Sequence, residues 1–459
     1  MEDTMKPMYP TSSARKIPLL INRNFALLWT GQTISILGDA VFDTTLVLWI
    51  GDRLARNEAW APLAVSGVLL ATALPTFMLG PFAGVFVDRW DKRSTMLWTD
   101  MLRAFLIFLL LLGSGVVPLP FTSNGHLPRL WQLSLIYGTV ILITTCSQLF
   151  NPSRLVLIGD LVPEPERARA SGLLQGTANL ALIIGPPTAA LLLFNVGVQW
   201  ALTVNALSFI GSFLTLLVLR IPQGALSMTS GQQGHFLSEF GAGVRFFLTN
   251  QLLRTILVAM FLVLLGGGVS NTLSFFFLTQ NLHASSHLYG LLSTASGAGL
   301  LAGTALAGWG ARRLGIARTF GLGIVTMGVL EIVYARLTDV SLAFFILFVQ
   351  GMANAALNVA LGPLILAVTP RPFVGRVWAL LIPAMNLAAL LSMATAGYLV
   401  STLLHDFHVT VLGVPLGPID TIFTVAGLLA LAGGISAMVN VRDVIISTQT
   451  PVKSKMDKM

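Results

Sequence analysis

Long apolar runs recur from one end of this chain to the other, and they limit its possible folds more than any other feature. A helix needs about 20 apolar residues to cross the hydrocarbon core of a bilayer, whereas a strand of a membrane barrel needs only about 10. Runs of this length predict an all-α membrane protein, because helices satisfy their own backbone groups in lipid. Twelve spans are predicted, over residues 25–50, 61–87, 95–117, 130–158, 171–195, 200–220, 253–280, 288–310, 318–336, 341–367, 377–402 and 420–440.

The composition supports a membrane protein and excludes several other classes. Of the 459 residues, 55% are hydrophobic and 10% are charged, which is too little charge to cover a soluble core of this size. The single cysteine, Cys146, excludes an intrachain disulfide and argues against a cysteine metal site. The net charge of +8 is spread over short loops, so it indicates contact with anionic membrane lipids and no nucleic-acid partner.

Basic residues are divided unevenly between the two sides of the predicted membrane protein. One side receives Arg53, Arg56, Arg129 and Arg336. The other side receives both tails and the remaining loops, with Arg89, Lys92, Arg93, Arg167, Arg169, Arg220, Arg245, Arg312, Arg313, Arg318, Arg371 and Arg376. By the positive-inside rule the second side is cytoplasmic, so we expect a multi-pass protein of the cell (inner or plasma) membrane with both termini inside.

The spans fall into two sets of six, separated by the longest loop. We expect a cytoplasmic tail over 1–24, a first bundle over 25–220, a cytoplasmic linker over 221–252, a second bundle over 253–440 and a cytoplasmic tail over 441–459. The linker begins with a stretch rich in Gly, Ser and Gln, which is typical of a flexible connection. Helical spacing then predicts an amphipathic helix at the cytoplasmic interface, with Phe236, Phe240, Val244 and Phe247 on one face.

The two halves repeat one another at the level of single residues. Asn151, Pro163, Arg169 and Asn179 recur as Asn358, Pro370, Arg376 and Asn386, all 207 positions later. The group Gly84, Asp88 and Arg89 has an echo 224 positions later, at Gly308, Arg312 and Arg313. The difference between these offsets is absorbed by a longer loop around 117–129 in the first half. The sequence therefore predicts two similar bundles of six helices.

The loop between the second and third spans carries the pattern Gly84-x-x-x-Asp88-Arg89-x-x-Lys92-Arg93. This pattern resembles the loop between helices 2 and 3 of the major facilitator superfamily. The resemblance implies the major facilitator fold, with twelve transmembrane helices in two pseudo-symmetric bundles and a central site between them. It also implies that the loop is a conformational latch, in which Asp88 approaches the start of the helix that carries Arg376.

Two further segments narrow the resemblance. The opening Asn24-Phe25-x-x-Leu-Trp29-x-Gly31-Gln32-x-x-Ser35-x-Leu-Gly38-Asp39 is similar to the macrolide-efflux and enterobactin-exporter branch of that superfamily. The pair Asn151-Pro152, followed by Leu161-Val162-Pro163, is similar to the same branch. This likeness implies an exporter, with the tails and the residues 223–234 outside it.

The fifth span carries small residues at the spacing of the superfamily's antiporter motif. The matching positions are Gly172, Ala181, Gly185, Pro186, Ala189 and Ala190. Three of them are Ala where the family has Gly, which keeps a close helix approach but reduces flexibility. The family's membrane-embedded arginine of span four is not clearly present, and Arg154 is the nearest residue to it.

Acidic residues inside the apolar runs are the candidates for proton coupling. Asp39 and Asp43 lie four apart in span one and therefore share a helix face, and Glu331 lies in span nine. A carboxylate at such depth is costly unless it is protonated, hydrated or paired, so it either carries a proton or stabilises a neighbouring helix. For Glu331, the nearby Arg336 also allows the side chain to reach water. Asp100 and Arg103, three apart, predict a structural pair.

Amide side chains form helical rows in several spans, and we expect them to face the bundle interior or a watery cavity. Some of them hold helices together and others bind substrate, which the sequence does not distinguish. The candidates for the substrate cavity are Gln175, Asn179, Asn271, Gln350, Asn354 and Asn386.

Patterns of enzymes are missing from the chain. There is no Gly-x4-Gly-Lys-(Ser/Thr) loop, zinc motif or dinucleotide fingerprint, so we expect no enzyme activity, no metal and no cofactor. The prediction is a monomeric secondary transporter that exports a hydrophobic or amphiphilic small molecule (a drug, macrolide or siderophore) in exchange for protons, by alternating access. Two alternatives stay open, namely a lipid or lysolipid translocator and a membrane receptor or scaffold without transport.

Overall fold

The computed structural model describes residues 21–115, 127–219, 245–247, 249–407, 409–411 and 414–449, without the side chains of 81, 84–86, 88, 372, 411–415 and 441–449. The tail over 1–20 and nearly all of the predicted linker and amphipathic helix, with Phe236, Phe240 and Val244, lie outside the described residues. Phe247 is described and is buried against the second bundle.

Twelve long helices are present in the part of the chain that is described, and each is long and apolar enough to cross a membrane. In chain order they are α1 Arg23–Trp49, α2 Ala61–Arg89, α3 Lys92–Gly113, α4 Arg129–Leu161, α5 Arg167–Asn195, α6 Val198–Val218, α7 Gln251–Phe276, α8 Tyr289–Leu314, α9 Ile316–Tyr334, α10 Val340–Val368, α11 Val374–Tyr398 and α12 Pro418–Gln449. The fold prediction is confirmed, with helix ends within a few residues of the expected spans except at the end of α12.

Short elements complete the helix ends. Wide π-helical turns extend α1, α7 and α11, over Ile50–Leu54, Phe277–Asn281 and Leu399–Leu403. A small antiparallel hairpin precedes α12 and was not expected from the sequence; its strands are β1 Val409–Val411 and β2 Val414–Leu416, with Val409 paired to Leu416.

Polar side chains set where several helices begin. The Oδ1 atom of Asn22 accepts a hydrogen bond from Phe25 N at 2.8 Å at the start of α1. Asp91 accepts from Ser94 N at 2.7 Å at the start of α3, and Asn250 caps α7 in the same way. Such caps satisfy amide groups that have no partner within the helix. At these three helices the loop therefore ends at a capping residue that stands before an apolar run.

The two halves form equivalent bundles. In the first half α1 packs against α5 and α6, α4 against α2 and α3, and α3 against α6. In the second half α7 packs against α11 and α12, α10 against α8 and α9, and α9 against α12. Each contact is thus repeated six helices later, and the repeated residues Asn151 and Asn358 lie in the equivalent helices α4 and α10. This repetition confirms the predicted pseudo-symmetry.

The bundles meet along two helix pairs, α5 with α8 and α2 with α11. We call the side where α1 begins and α12 ends the tail side, and the opposite side the distal side. Three hydrogen bonds among the described residues join the bundles in the distal half, from Thr294 Oγ1 to Ile183 O at 2.7 Å, from Leu63 N to Ser401 Oγ at 3.1 Å and from Ser286 Oγ to Asp52 Oδ1 at 2.6 Å. These contacts are called the distal seam.

The glycines of α5 and α8 differ in how closely they are packed along the helices. A Cβ atom added at Gly290 of α8 would lie 2.4 Å from Pro186 O of α5, so the two backbones touch in the distal half. One added at Gly172 of α5 or Gly308 of α8 would meet nothing within 4 Å. The structure is therefore closed on the distal side, where the backbones of α5 and α8 are in contact.

Candidate functional site

Asp43 is an exposed carboxyl deep within the membrane-spanning part of α1. It lies nine residues after Ile34, which is 48% exposed on the outer surface. Nine residues turn an α-helix by two and a half turns, so the two side chains point in opposite directions. Asp43 is therefore exposed on the face of α1 opposite Ile34, while α1 packs on α5 and α6.

Asp39 lies one turn before Asp43 and has a different environment. It is half-buried and interacts electrostatically with Arg103 of α3 and Arg154 of α4. Two guanidinium groups thus compensate the charge of Asp39. Asp43 has no such cation among its described interactions, where Asp39 is the only charged neighbour. The two aspartates that the sequence could not separate therefore differ in their electrostatic partners.

A buried polar network surrounds these arginines. The Nη1 atom of Arg154 donates to Gln32 Oε1 at 3.2 Å, and Gln32 Nε2 donates to Ser212 Oγ of α6 at 3.1 Å. Arg103 Nη1 lies 3.6 Å from Asp100 Oδ1, and its guanidinium stacks over the ring of Phe150 at 4.6 Å. The predicted pair of Asp100 and Arg103 is formed and is almost fully buried, with side chains 0% and 3% exposed.

Nothing in the sequence pattern connects four members of this network. Gln32 and Ser212 are uncharged residues within apolar runs, and their roles depend on which helices become neighbours. Arg154 lies 24 positions after Leu130, near the tail-side end of α4, yet its side chain donates to Gln32 of α1. The role of Phe150 is visible only in the structure, where its ring covers the guanidinium of Arg103. The sequence signal that could have pointed to this network was Arg154, a charged residue in an apolar run with no acidic residue one turn away.

Glu331 is buried in the second bundle, with 5% of its surface exposed. Its Oε1 atom lies 2.5 Å from Ser270 Oγ of α7, and its Oε2 atom accepts a hydrogen bond from Gln350 Nε2 of α10. Its side chain does not reach water beside Arg336, which the sequence had allowed. Arg336 instead donates to Thr424 Oγ1 at 2.7 Å.

The predicted amide candidates are distributed over both bundles. Gln175 and Asn179 bond to each other on α5 at 3.2 Å, and Asn354 accepts from Asn358 Nδ2 on α10 at 2.8 Å. Asn271 of α7 is exposed and Asn386 of α11 is half-buried. Gln350 points to Glu331. A role of these side chains in binding substrate stays a prediction.

The antiporter-like residues of α5 lie at helix contacts. Ala181, Ala189 and Ala190 are 1%, 0% and 3% exposed, and a Cβ at Gly185 would lie 2.5 Å from the Cβ of Ala40 in α1. Pro186 contacts Gly290 in the distal seam. Gly172 lies toward the tail side, where an added Cβ would meet nothing within 4 Å. The motif's small residues therefore allow α5 to approach both α1 and α8 closely.

The predicted latch loop is described only in part. The surroundings of Gly84 and the side chain of Asp88 lie outside what the structure describes, so the predicted approach of Asp88 to the start of the helix that carries Arg376 stays a prediction. Arg89 is exposed, and Arg376 stacks over the ring of Phe373 at 5.3 Å. Lys92 also makes an interaction in the structure. Arg93 holds the end of α6, because it donates to Leu216 O at 2.9 Å and Leu217 O at 2.7 Å.

Asp91 stands between the latch residues and caps α3. Partial burial acts to raise the pKa of this carboxyl, but hydrogen bonds from Ser94 and the charges of Arg93 and Lys92 outweigh it, so the pKa of Asp91 is lowered. The ionised form is the better acceptor for the helix start. The loop thus stabilises α3 at neutral pH in addition to any role as a latch.

A cavity of about 1020 Å³ lies on the distal side of the seam. Charged residues of both signs line it, including Asp52, Arg53 and Glu58, and the ring of His287 packs on Phe194 with centroids 4.0 Å apart. Across the residues that the structure describes, no group of three or more His, Cys, Asp or Glu side chains could hold a metal ion.

The comparisons with known proteins all point to one family. The sequence profile of the Major Facilitator Superfamily matches residues 28–278 and 256–455. The uncharacterized MFS-type transporter YfiS of Bacillus subtilis (strain 168) is 26% identical over 393 residues, which are 83% of this chain and 88% of that protein. Macrolide efflux protein A of Streptococcus pyogenes is 23% identical over 200 residues, 43% of this chain and 45% of that protein.

Solved structures agree at the level of the fold. A bacterial homologue of the iron transporter ferroportin, crystallised in an inward-facing state, superposes with a TM-score of 0.67 and 15% identity over 90% of this chain and 97% of that one. The matched profile spans nearly all twelve helices, and the bundle pairing described above is the same architecture. The chain therefore belongs to the Major Facilitator Superfamily, in a branch similar to the macrolide-efflux proteins.

Proposed function

We propose that this transporter exports hydrophobic or amphiphilic small molecules in exchange for protons, by alternating access between its two bundles. The proposal is carried by the pairing of a closed distal seam with Asp43, an exposed carboxyl of α1 that has no cation among its described interactions. The efflux relative supports the direction of transport. The lipid-translocator alternative has the same fold, and nothing in the site favours it.

The charge distribution supports an orientation. Arg89, Arg93, Arg312 and Arg371 lie on the tail side, whereas Arg53 and Arg129 lie on the distal side. By the positive-inside rule the tail side is cytoplasmic. The structure is then inward-facing, with the distal seam closing the outer side.

Asp43 is the proton carrier in this proposal. In the inward-facing structure it is exposed, so water can stabilise its ionised form. Closure of the bundles around it would remove that water, and an unpaired carboxylate is then costly unless it takes up a proton. Uptake of one proton removes the charge and lowers the barrier between the two facing states. Asp39 is not the carrier in this proposal, because the charges of Arg103 and Arg154 act to stabilise its ionised form.

The test is transport in proteoliposomes with an imposed proton gradient, using a lipophilic fluorescent amine and erythromycin as probes. Asp43→Asn should abolish accumulation against the probe gradient while preserving downhill exchange, since Asn mimics the protonated acid. Asp406→Asn is the matched control, because the side chain of Asp406 is 96% exposed on a distal loop.

Four results would contradict parts of the proposal. Uphill accumulation by Asp43→Asn equal to wild type would exclude Asp43 as carrier. Loss of coupling in a normally stable Asp39→Asn protein would transfer that role to Asp39. Movement of a fluorescent lysolipid, with neither probe transported, would favour the lipid-translocator alternative, and absence of any flux would favour a receptor or scaffold.

A further inference from the structure

The cavity of about 1020 Å³ on the distal side does not include Asp43, and both bundles line it. The first bundle contributes the π-helical turn after α1, the loop that follows this turn, and Phe194 near the end of α5. The second bundle contributes the distal ends of α7, α11 and α12 and the loop before α8. Its volume matches the largest small-molecule sites of proteins, which reach about 1,000 Å³. We call it the distal cavity.

The lining of the distal cavity changes from apolar to charged between its buried and its exposed residues. Phe275 and Phe276 are each 2% exposed, and Ile419 is 3% exposed. Arg53 and Arg56 are exposed. The buried side chains therefore form an apolar base, and the two arginines stand at the rim, toward the distal solution. Such a lining suits a ligand that has an apolar body and one charged group.

The two carboxylates that line the distal cavity are already bonded within the protein. Asp52 accepts a hydrogen bond from Ser286 Oγ at 2.6 Å, and its Oδ2 atom lies 3.7 Å from Arg53 Nε. Glu58 Oε1 lies 3.0 Å from Arg129 Nη1. Neither acid is therefore left to attract a cationic ligand.

The acids beside the distal cavity have partners too, whereas one arginine at its rim has none. Asp406 Oδ1 lies 2.8 Å from His405 Nδ1, and Asp420 Oδ2 accepts from Gly417 N at 3.1 Å. Arg56 has no acidic partner in the part of the chain that the structure describes. The charge that is free to meet a ligand is thus positive, and it favours an anion.

Lining residues of the two bundles touch one another across the distal cavity. The ring of His287, from the loop before α8, packs on Phe194 of α5 with centroids 4.0 Å apart. The neighbouring Ser286 donates to Asp52 in the distal seam. All four residues line the cavity. A ligand that fills it therefore contacts both bundles, and it would lose part of these contacts if the bundles separated.

We propose that the distal cavity is a second ligand site, which takes an organic anion with an aromatic body, and that its occupant holds the distal seam closed. The acidic group of the ligand, a carboxylate or a sulfonate, meets Arg56, and its rings lie on the base formed by Phe275 and Phe276. A ligand with more contacts in the closed state shifts the population toward that state.

The two parts of this proposal depend on different observations. The binding site stands on the cavity and its charges alone. The effect on the distal seam rests on the proposed function, in which the seam opens during transport. An occupant would then inhibit export from the distal side, without competing with a substrate that enters from the tail side.

The first test is a fluorescence titration of the purified full chain in nanodiscs of neutral lipid, with empty nanodiscs as the blank. The probes are dansylate, an aromatic sulfonate, and dansylamide, its neutral analogue. We expect dansylate to bind more tightly than dansylamide. Arg56→Gln should weaken dansylate binding about fivefold, since water moderates an ion pair at an exposed rim, and should leave dansylamide binding unchanged. Arg318→Gln, at an exposed arginine on the tail side, is the matched control and should bind both probes as wild type does.

The second test is the distance across the distal side with and without dansylate. Spin labels at Leu130→Cys and Ser341→Cys, in a Cys146→Ser background, report on the exposed distal starts of α4 and α10 by pulsed electron resonance. Gly290→Ala, which crowds the contact of α5 with α8, should supply a measurable open population. Saturating dansylate should lower that population, and the decrease should be smaller in Arg56→Gln at the same probe concentration.

Each part of the proposal can fail separately. Equal affinities for the two probes, or unchanged dansylate binding in Arg56→Gln, would overturn the anion site. Binding through Arg56 with an equal or larger open population would overturn the effect on the seam. The titration requires no transport, so a chain that binds dansylate but moves neither erythromycin nor the lipophilic amine would refute the proposed function and leave the anion site standing.

Discussion

The two bundles share one helix arrangement but solve the problem of buried polar groups in opposite ways. In the first bundle Asp100, Arg103 and Arg154 form a charged interior; at the repeat offsets of the sequence the second bundle has Ile324, Met327 and Leu361. The polar site of the second bundle, formed by Glu331 and Gln350, likewise has no polar counterpart in the first bundle. The corresponding residues there are Ile107 and Ile143, which are 0% and 7% exposed.

This reciprocal exchange shows that the shared packing does not depend on either polar site. The helix contacts repeat whether a position carries an ion or an aliphatic side chain of similar volume. A buried ion requires a local partner, and each bundle supplies its own: arginines for Asp39 and Asp100, and a neutral hydroxyl and amide for Glu331. The polar sites are therefore local additions to a common scaffold, where functional differences between the halves can arise.

The largest expected effect follows from removing one charge of the first bundle's pair. Arg103→Met should lower the free energy of unfolding by about 3–5 kcal/mol, because it leaves Asp100 as an unpaired buried charge. The double variant Asp100→Ile with Arg103→Met copies the second bundle and should recover much of that loss. Denaturant unfolding in detergent at pH 7 measures both. A single variant as stable as wild type would mean that Asp100 is not ionised in the fold.

A smaller effect is expected at the seam between the bundles, where the two ends of α8 differ. Gly290→Ala places a methyl group against the backbone of Pro186, and it should disfavour the closed distal side by about 1–3 kcal/mol. Gly308→Ala is the matched control on the same helix, because it meets open space and should stabilise the helix by up to about 1 kcal/mol.

Spin-label distances across the distal side distinguish these two variants. The open population should increase in Gly290→Ala and stay unchanged in Gly308→Ala. Equal distances in both proteins would show that the contact of α5 with α8 does not limit opening.

The smallest expected effect concerns the repeated loop. Asp91 caps α3, whereas its counterpart at the repeat offset is Gly315, which has a φ of 86° and no capping side chain. Asp91→Ala should cost about 1 kcal/mol of stability at pH 7, and Gly315→Ala should also destabilise, through backbone strain instead of a lost cap.

The pH dependence of the Asp91 effect has a defined sign. The pKa of Asp91 is lowered in the fold, so its stabilisation is present above the ordinary aspartate pKa of 3.8 and is lost as the pH falls through the lowered value. Asp91→Asn keeps a capping oxygen and should remove this acid-dependent loss. Unfolding curves at pH 7 and at pH 3 compare the three proteins, and an identical acid response in Asp91→Asn would contradict the assignment.

The sequence by itself determined the twelve helices, their pairing into two similar halves and the family. Length and hydropathy decide these features, because a backbone in lipid must form helices, and repeated residues such as Asn151 and Asn358 place the halves in register. The pair of Asp100 and Arg103 was also predictable, since residues three apart on a helix are neighbours whatever surrounds them.

Only the tertiary structure decided which of the buried acids has a cation. Asp39 and Asp43 share a helix face, but Arg103 and Arg154 come from other helices, and their approach to Asp39 depends on how α3 and α4 pack against α1. In the same way the partners of Glu331, Ser270 and Gln350, come from the other helices α7 and α10. The electrostatic environment of a buried charge is set by neighbours in space, and helical periodicity alone does not specify them.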